Sequence, residues 1–226
     1  MGQIISMIEK HKMQIKNIKM LKLQPLQAVQ YGTTKTSDEN VAYLLENLTS
    51  GPIVVLELLG ENAIETLKRI CGPEDVVDAK RSHPYSLRGQ YGIDMIKCAV
   101  FNPPDTAANQ KDLDFFFPKI NDRLSLTPKY NKSTLCLIKP HAIKEGKIGA
   151  ILKYIIENEY NVTAMKMFRL ERKQCEDFYE IYKGVVGEYL QMVTNLASGS
   201  CLAIEVAGEG NVQQSFRSFC GPVDPV

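Results

Sequence analysis

Apolar positions along the chain recur with two spacings, and the two spacings alternate. Ile4, Ile5 and Ile8, and further on Ile151, Leu152, Ile155 and Ile156, fall on one face of a helix. Each group is followed by a stretch of alternating apolar and polar residues, 13–23 and 161–170, which predicts a half-buried strand. Ser37 stands where an N-cap belongs, ahead of Val41, Leu44, Leu45 and Leu48 at helical spacing. Gly51-Pro52 closes that helix and opens an apolar strand at 53–59. Ala63, Ile64, Leu67 and Ile70 line the next helix, which Gly72-Pro73 ends. Another strand is expected at 134–138.

The pattern repeats because the residues repeat. GPIVVLELLGENAIETLKRICGPEDVV (51–77) parallels GSCLAIEVAGEGNVQQSFRSFCGPVDPV (199–226). Gly51 and Gly199 are 199 − 51 = 148 apart, and Cys71 and Cys220 are 220 − 71 = 149 apart. KMLKL (19–23) answers KMFRL (166–170), and Gly2 answers Gly149, both at an offset of 147. Two long copies indicate duplicated domains rather than a solenoid. The expected organisation is a first domain at 1–117, a polar linker at 118–132 and a second domain at 133–226. Taken with the 134–138 strand, one copy reads β-α-β-α-β-α. The fold class is therefore α/β (α+β), as tandem ferredoxin-like βαββαβ domains of the split β-α-β type. The first copy is expected to lack its opening strand and the second its closing third. A remoter arrangement places residues 134–138 in the vacant first-strand slot of the first copy.

Composition removes several function classes. The chain has 226 residues, is 44% hydrophobic and carries a formal charge of +1. No strong field therefore points to nucleic acid or an anionic membrane as a partner. The longest apolar runs are too short to span a bilayer. Six scattered cysteines without a C-x-x-C pair fit a reducing, cytoplasmic compartment. Three histidines do not combine with those cysteines at zinc-finger spacing.

The candidate chemistry lies in KPHA (139–142), GKIG (146–149), Ser198-Gly199 and LRGQYG (87–92). With the duplication, these segments resemble the nucleoside diphosphate kinase family. With FYEIYKGVVGEYLQMV (178–193), they resemble its tandem-domain, cilium-associated branch. The resemblance implies transfer of a γ-phosphate through a phosphohistidine, with cationic groups neutralising the developing charge. Arg88 matches a family arginine, and thirteen residues on, at the phosphohistidine position, stands Phe101. Phenylalanine has no lone pair to phosphorylate. Cys98 and Pro103 also depart from the family segment, and Asp112 lies where a family Glu orients the imidazole but has nothing to orient.

In the second copy the resemblance assigns Lys139 and Arg217 to a phosphate and Tyr179 to the site wall, while Val223 replaces a phosphate-loop threonine. The implied reading is a catalytically degenerate scaffold with no catalytic residue, no metal site and no required cofactor. Mg2+ with ATP or ADP enters only if the pocket of Lys139, Tyr179 and Arg217, or the remnant at Arg88, is retained. The implied partners are tubulin and other axonemal microtubule proteins, and the implied location is the cytoskeleton of the cilium. Two alternatives stand beside it: an active nucleoside diphosphate kinase if a longer gene product completes the second domain, or a non-catalytic nucleotide-binding module.

Each residue also has a plainer role. Phe101 reads as a core filler occupying the imidazole's space, and Phe115-Phe116-Phe117 as core or inter-domain packing. Arg88 and Arg217 read as surface or ion-paired residues. His141 reads as a loop residue, His83 as an exposed one, and the cysteines as small buried hydrophobes.

Overall fold

The computed structural model describes residues 1–33, 35, 38–119 and 124–222. In chain order the elements are α1 (Gly2–Lys10), β1 (Gln14–Lys22), α2 (Pro25–Gly32), α3 (Asp38–Thr49), β2 (Ile53–Leu59) and α4 (Ala63–Cys71). There follow α5 (Val76–Ser82), α6 (Leu87–Tyr91), α7 (Thr106–Phe116), β3 (Ser125–Leu126), β4 (Ser133–Ile138) and α8 (Pro140–Lys144). The remainder is α9 (Ile148–Glu157), β5 (Asn161–Arg169), α10 (Arg172–Phe178), a 3-10 turn at Glu180–Tyr182, α11 (Tyr189–Ala197), β6 (Ser200–Ala207) and α12 (Val212–Cys220). Two compact units result. One is Lys10–Lys16 with Met20–Leu126; the other is Met1–Glu9 and Asn17–Lys19 with Thr127–Val226.

In the unit built from 20–126, β1 lies beside β2, and the Lys16 ammonium bonds the Glu57 carboxylate at 2.8 Å across the pair. Leu21, Leu23, Ala28 and Phe116 are buried together, with Leu45, Leu48, Ile53 and Val55 packed around them. The apolar stripe of α3 reaches this core through Leu45 and Leu48, as its spacing predicts. The proposed cap at Ser37 lies outside the described residues. Helix α7 starts where the Asp105 carboxylate accepts the Ala108 amide at 2.8 Å.

In the other unit β6 is central and antiparallel to both neighbours, giving the order β5-β6-β4. Strands β4 and β5 run in one direction with α8 and α9 between them in the chain, and β6 is inserted between them. This is the split β-α-β arrangement expected from the pattern. Strand β4 pairs with β6 from Ser133↔Ala207 to Ile138↔Leu202, so the exchange into the first copy does not occur. One sheet face is covered by α10 and α11 through Cys175, Tyr179, Val193, Leu196 and Cys201. Helix α12 packs along β4 and α9 along β5.

The described part of the expected linker is tied down. Leu126 and Ser125 pair with Leu21 and Lys22 of β1. Beyond them the Thr127 hydroxyl donates to the Thr163 carbonyl at 2.6 Å. The Lys129 and Tyr130 amides donate to the Glu205 carboxylate at 2.8 and 2.6 Å, which also accepts from Ser133 Oγ and Thr163 Oγ1. Burial works to raise the pKa of Glu205, but these donors outweigh it and hold the carboxyl below its ordinary value.

Candidate functional site

In the first copy the residue at the nucleophile position is not buried. Phe101 is 52% exposed, whereas its neighbour Asn102 is 6% exposed. The expectation of a core filler is corrected, and the reason is local. The segment has no regular structure, and it turns Asn102 inward to serve Arg88, which directs Phe101 outward. Arg88 is itself 4% exposed, so it is not a surface residue, and it makes no ion pair among the described residues. One terminal nitrogen donates to the Gly72 carbonyl at 2.7 Å and the other to Asn102 Oδ1 at 2.8 Å. Its Nε is buried without a partner among the described residues. A guanidinium committed to backbone and amide oxygens has little left to offer a phosphate. Close by, burial raises the Cys71 thiol to about 11 even though the Arg88 charge opposes the shift.

Beside Phe101 the structure assembles a group that sequence reasoning missed. The Tyr31 ring lies 4.8 Å from Phe116, 5.3 Å from Phe115 and, edge-on, 6.3 Å from Phe101. Lys35 Nζ sits 4.9 Å from the Tyr31 ring centre and 5.0 Å from that of Phe101, a cation–π contact on both. The same ammonium bonds Asp112 Oδ1 at 2.5 Å. Asp112, expected to have nothing to orient, therefore holds a lysine. Burial first, and then the Asp112 charge, push the Tyr31 phenol well above its ordinary pKa, so it stays protonated. Tyr31, Lys35, Asp112 and Phe115 line a cleft of about 320 Å³ with Gln30 and Lys111. The repeat carried a usable signal: Tyr31 and Tyr179 are 179 − 31 = 148 apart, as are Lys35 and Lys183.

The second copy's candidates stand on three different segments. Lys139 is exposed in extended backbone at the N-cap of α8, and Arg217 is exposed in the last turn of α12. Tyr179 is buried in the core with Cys175 and Cys201, its ring 5.0 Å from Phe178. No hydrogen bond or ion pair joins the three among the described residues. Val223 lies outside the described residues. His141 falls inside α8 rather than in a loop, because Pro140 at the first helical position sets the helical φ. His83 is exposed as expected. The cysteines are mixed: Cys71, Cys175 and Cys201 are buried, Cys98 and Cys136 are half-buried, and Cys220 is exposed at the end of α12.

Mg-nucleotide is the ligand the resemblance implies, and the residues of the first copy do not fit it. Arg88 is engaged by protein oxygens and Phe101 offers no ligating atom. No cluster of three His, Cys, Asp or Glu side chains suited to a metal occurs among the described residues.

The architecture is thus a mixed α/β protein of ferredoxin-like repeats whose first site is rebuilt from an aromatic pair, a lysine and a carboxylate. A nucleoside diphosphate kinase family model matches residues 1–121 and 132–226, and the chain belongs to that family. It is 38% identical over 225 residues to "Nucleoside diphosphate kinase homolog 7" of Mus musculus, covering 99% of this chain and 57% of that protein. It is 30% identical over 185 residues to "Thioredoxin domain-containing protein 3" of Homo sapiens, covering 80% of this chain and 29% of that one. The crystal structure of the Aquifex aeolicus nucleoside diphosphate kinase superposes with a TM-score of 0.51 at 30% identity, over 53% of this chain and 84% of that one. The chain thus spans little more than half of the first relative's length.

Proposed function

We propose that this chain is a catalytically degenerate nucleoside diphosphate kinase-like scaffold of the ciliary axoneme, bound to tubulin and its associated proteins. One observation carries the loss of catalysis: the residue at the nucleophile position is an exposed phenylalanine, and the adjacent Arg88 is closed off by Gly72 and Asn102. Without a nitrogen nucleophile the phosphoryl group has nowhere to go, whatever cations surround it. The ciliary setting rests on the resemblance of FYEIYKGVVGEYLQMV (178–193) and the tandem arrangement to the cilium-associated branch.

Incubation with γ-labelled ATP should leave no acid-labile, base-stable label on the chain, and fractionation of ciliated cells should place it with purified axonemes. Label of that kind on the full-length protein would favour the kinase reading. Recovery only from cytosol would remove the axonemal one.

A second reading rests on the exposure of Lys139 and Arg217: nucleotide binding without turnover. Calorimetry with Mg-ADP tests it, because heat that survives Lys139→Ala unchanged would place binding elsewhere.

A further inference from the structure

The six cysteines, scattered in sequence, meet in three couples. Cys175 and Cys201 share one apolar core. Cys136 and Cys220 stand on β4 and α12, which pack together, and the Cys220 charge adds to the burial that raises the Cys136 thiol, as the Cys98 charge does for Cys71. All six thiols are free. The couples differ in access. Cys175 and Cys201 are fully buried and Cys71 is nearly so, which keeps them from direct contact with a disulfide in solution. Cys220, at the last residue of α12, is exposed.

The fold turns Cys136 toward Cys220. Along β4 the side chains alternate between the two sheet faces. Leu137 packs into the Cys175–Cys201 cluster on the α10–α11 face. Cys136 therefore points to the opposite face, together with its cross-strand partner Ile204. Helix α12 packs along β4, anchored by the buried Val212 and Phe216. Gly221, with φ +84°, ends that helix just after Cys220.

We propose that Cys136 and Cys220 form a reversible disulfide that staples the end of α12 to strand β4 under oxidising conditions. The oxidant class is a low-molecular-weight disulfide such as oxidised glutathione. The Cys220 thiolate attacks one sulfur of that disulfide, forming a mixed disulfide and releasing one thiolate of the small molecule. The Cys136 thiolate then attacks Cys220 Sγ, displacing the second. Two protein thiols become one disulfide, one small disulfide becomes two thiols, and the two protein protons pass to the two leaving thiolates. Cys220 attacks first because it is exposed. Cys136 resolves, slowly, since burial lifts its thiol to about 11 and the Cys220 charge adds to that shift. Helix end and strand bound a loop holding β5, α10, α11 and β6, so the bond restrains most of this unit in the unfolded chain.

The test incubates the reduced full chain with oxidised glutathione, alkylates the remaining thiols under denaturing conditions, and maps the peptides by mass spectrometry. The expected result is a peptide linking Cys136 to Cys220, four alkylated cysteines out of six, and a Tm raised by about 5–15 °C. Cys220→Ser and, separately, Cys136→Ser should each abolish both the linked peptide and the Tm rise. A Cys220 that stays glutathionylated while Cys136 remains alkylatable would overturn the proposal. So would a Tm rise that persists in both variants.

Discussion

Lys19 pairs across the sheet with Lys166, its own counterpart one repeat later (166 − 19 = 147). The same offset relates Gly2 to Gly149 and Ser6 to Lys153, and their contacts are exchanged accordingly. A Cβ on Gly2 would lie 2.4 Å from the Lys153 amide nitrogen, and one on Gly149 would lie 2.2 Å from that of Ser6. A local two-fold thus relates α1 and Asn17–Lys19 to α9 and β5 inside one compact unit, and glycine lets the two helix backbones touch. One departure from the symmetry is at Glu9, whose two oxygens accept amides of α9, Ile148 at 3.1 Å and Gly149 at 2.9 Å.

Gly149→Ala should destabilise the chain by about 1–3 kcal/mol, because the obstructing atoms are backbone and cannot swing aside. Helix propensity alone would favour alanine by about 1 kcal/mol. A chemical-denaturation midpoint that rises instead of falling would contradict the close contact.

Glu205→Gln should cost about 1–3 kcal/mol at neutral pH, since two amides and two hydroxyls lose part of their acceptor. The folded-state pKa of Glu205 lies below the ordinary 4.5, so its stabilising contribution is fully present above that value. It is lost as pH falls through the lower folded value. The stability difference between parent and variant, followed by urea unfolding, should therefore be large at pH 7 and shrink under acid.

Arg88→Ala should destabilise by about 1–3 kcal/mol by orphaning the Gly72 carbonyl and Asn102. Arg88→Lys should not rescue it, because an ammonium cannot span both acceptors as the planar fork does. Unfolding curves of the two variants check this. A lysine variant as stable as the parent would mean that the fork geometry is immaterial.

Phe101→His should not install phosphotransfer. The imidazole would sit on an exposed loop beside an arginine already engaged and a lysine held by Asp112. Labelled ATP should yield no acid-labile, base-stable phosphoenzyme in this variant, and its appearance would show that the loss of the histidine alone silenced the first copy.

Periodicity and repetition made much legible. The helix stripes at Ile4 to Ile8 and Val41 to Leu48, the five longer strands and the duplication follow from residue type and spacing, and the family from the resemblance of motifs such as KPHA and LRGQYG. The candidate site was less so. Phe101 was recognisable as a non-nucleophile, yet its exposure depended on Asn102 turning inward to a guanidinium sixteen residues past Gly72, which no local pattern records. Tyr31 and Lys35 were within reach through the 148-residue offset, but their contact with Phe101 and Asp112 was not.

By itself the sequence determined the helices with apolar stripes and the main strands, that two related copies are present, and that the first has Phe101 in place of the phosphohistidine. These are properties of side-chain chemistry and short-range spacing. Only the tertiary structure decided that Arg88 is satisfied internally, that Asp112 acquires Lys35, and that Lys19 meets Lys166. Those outcomes depend on packing and hydrogen-bond satisfaction between segments far apart in the chain, where burial selects which polar groups must find one another.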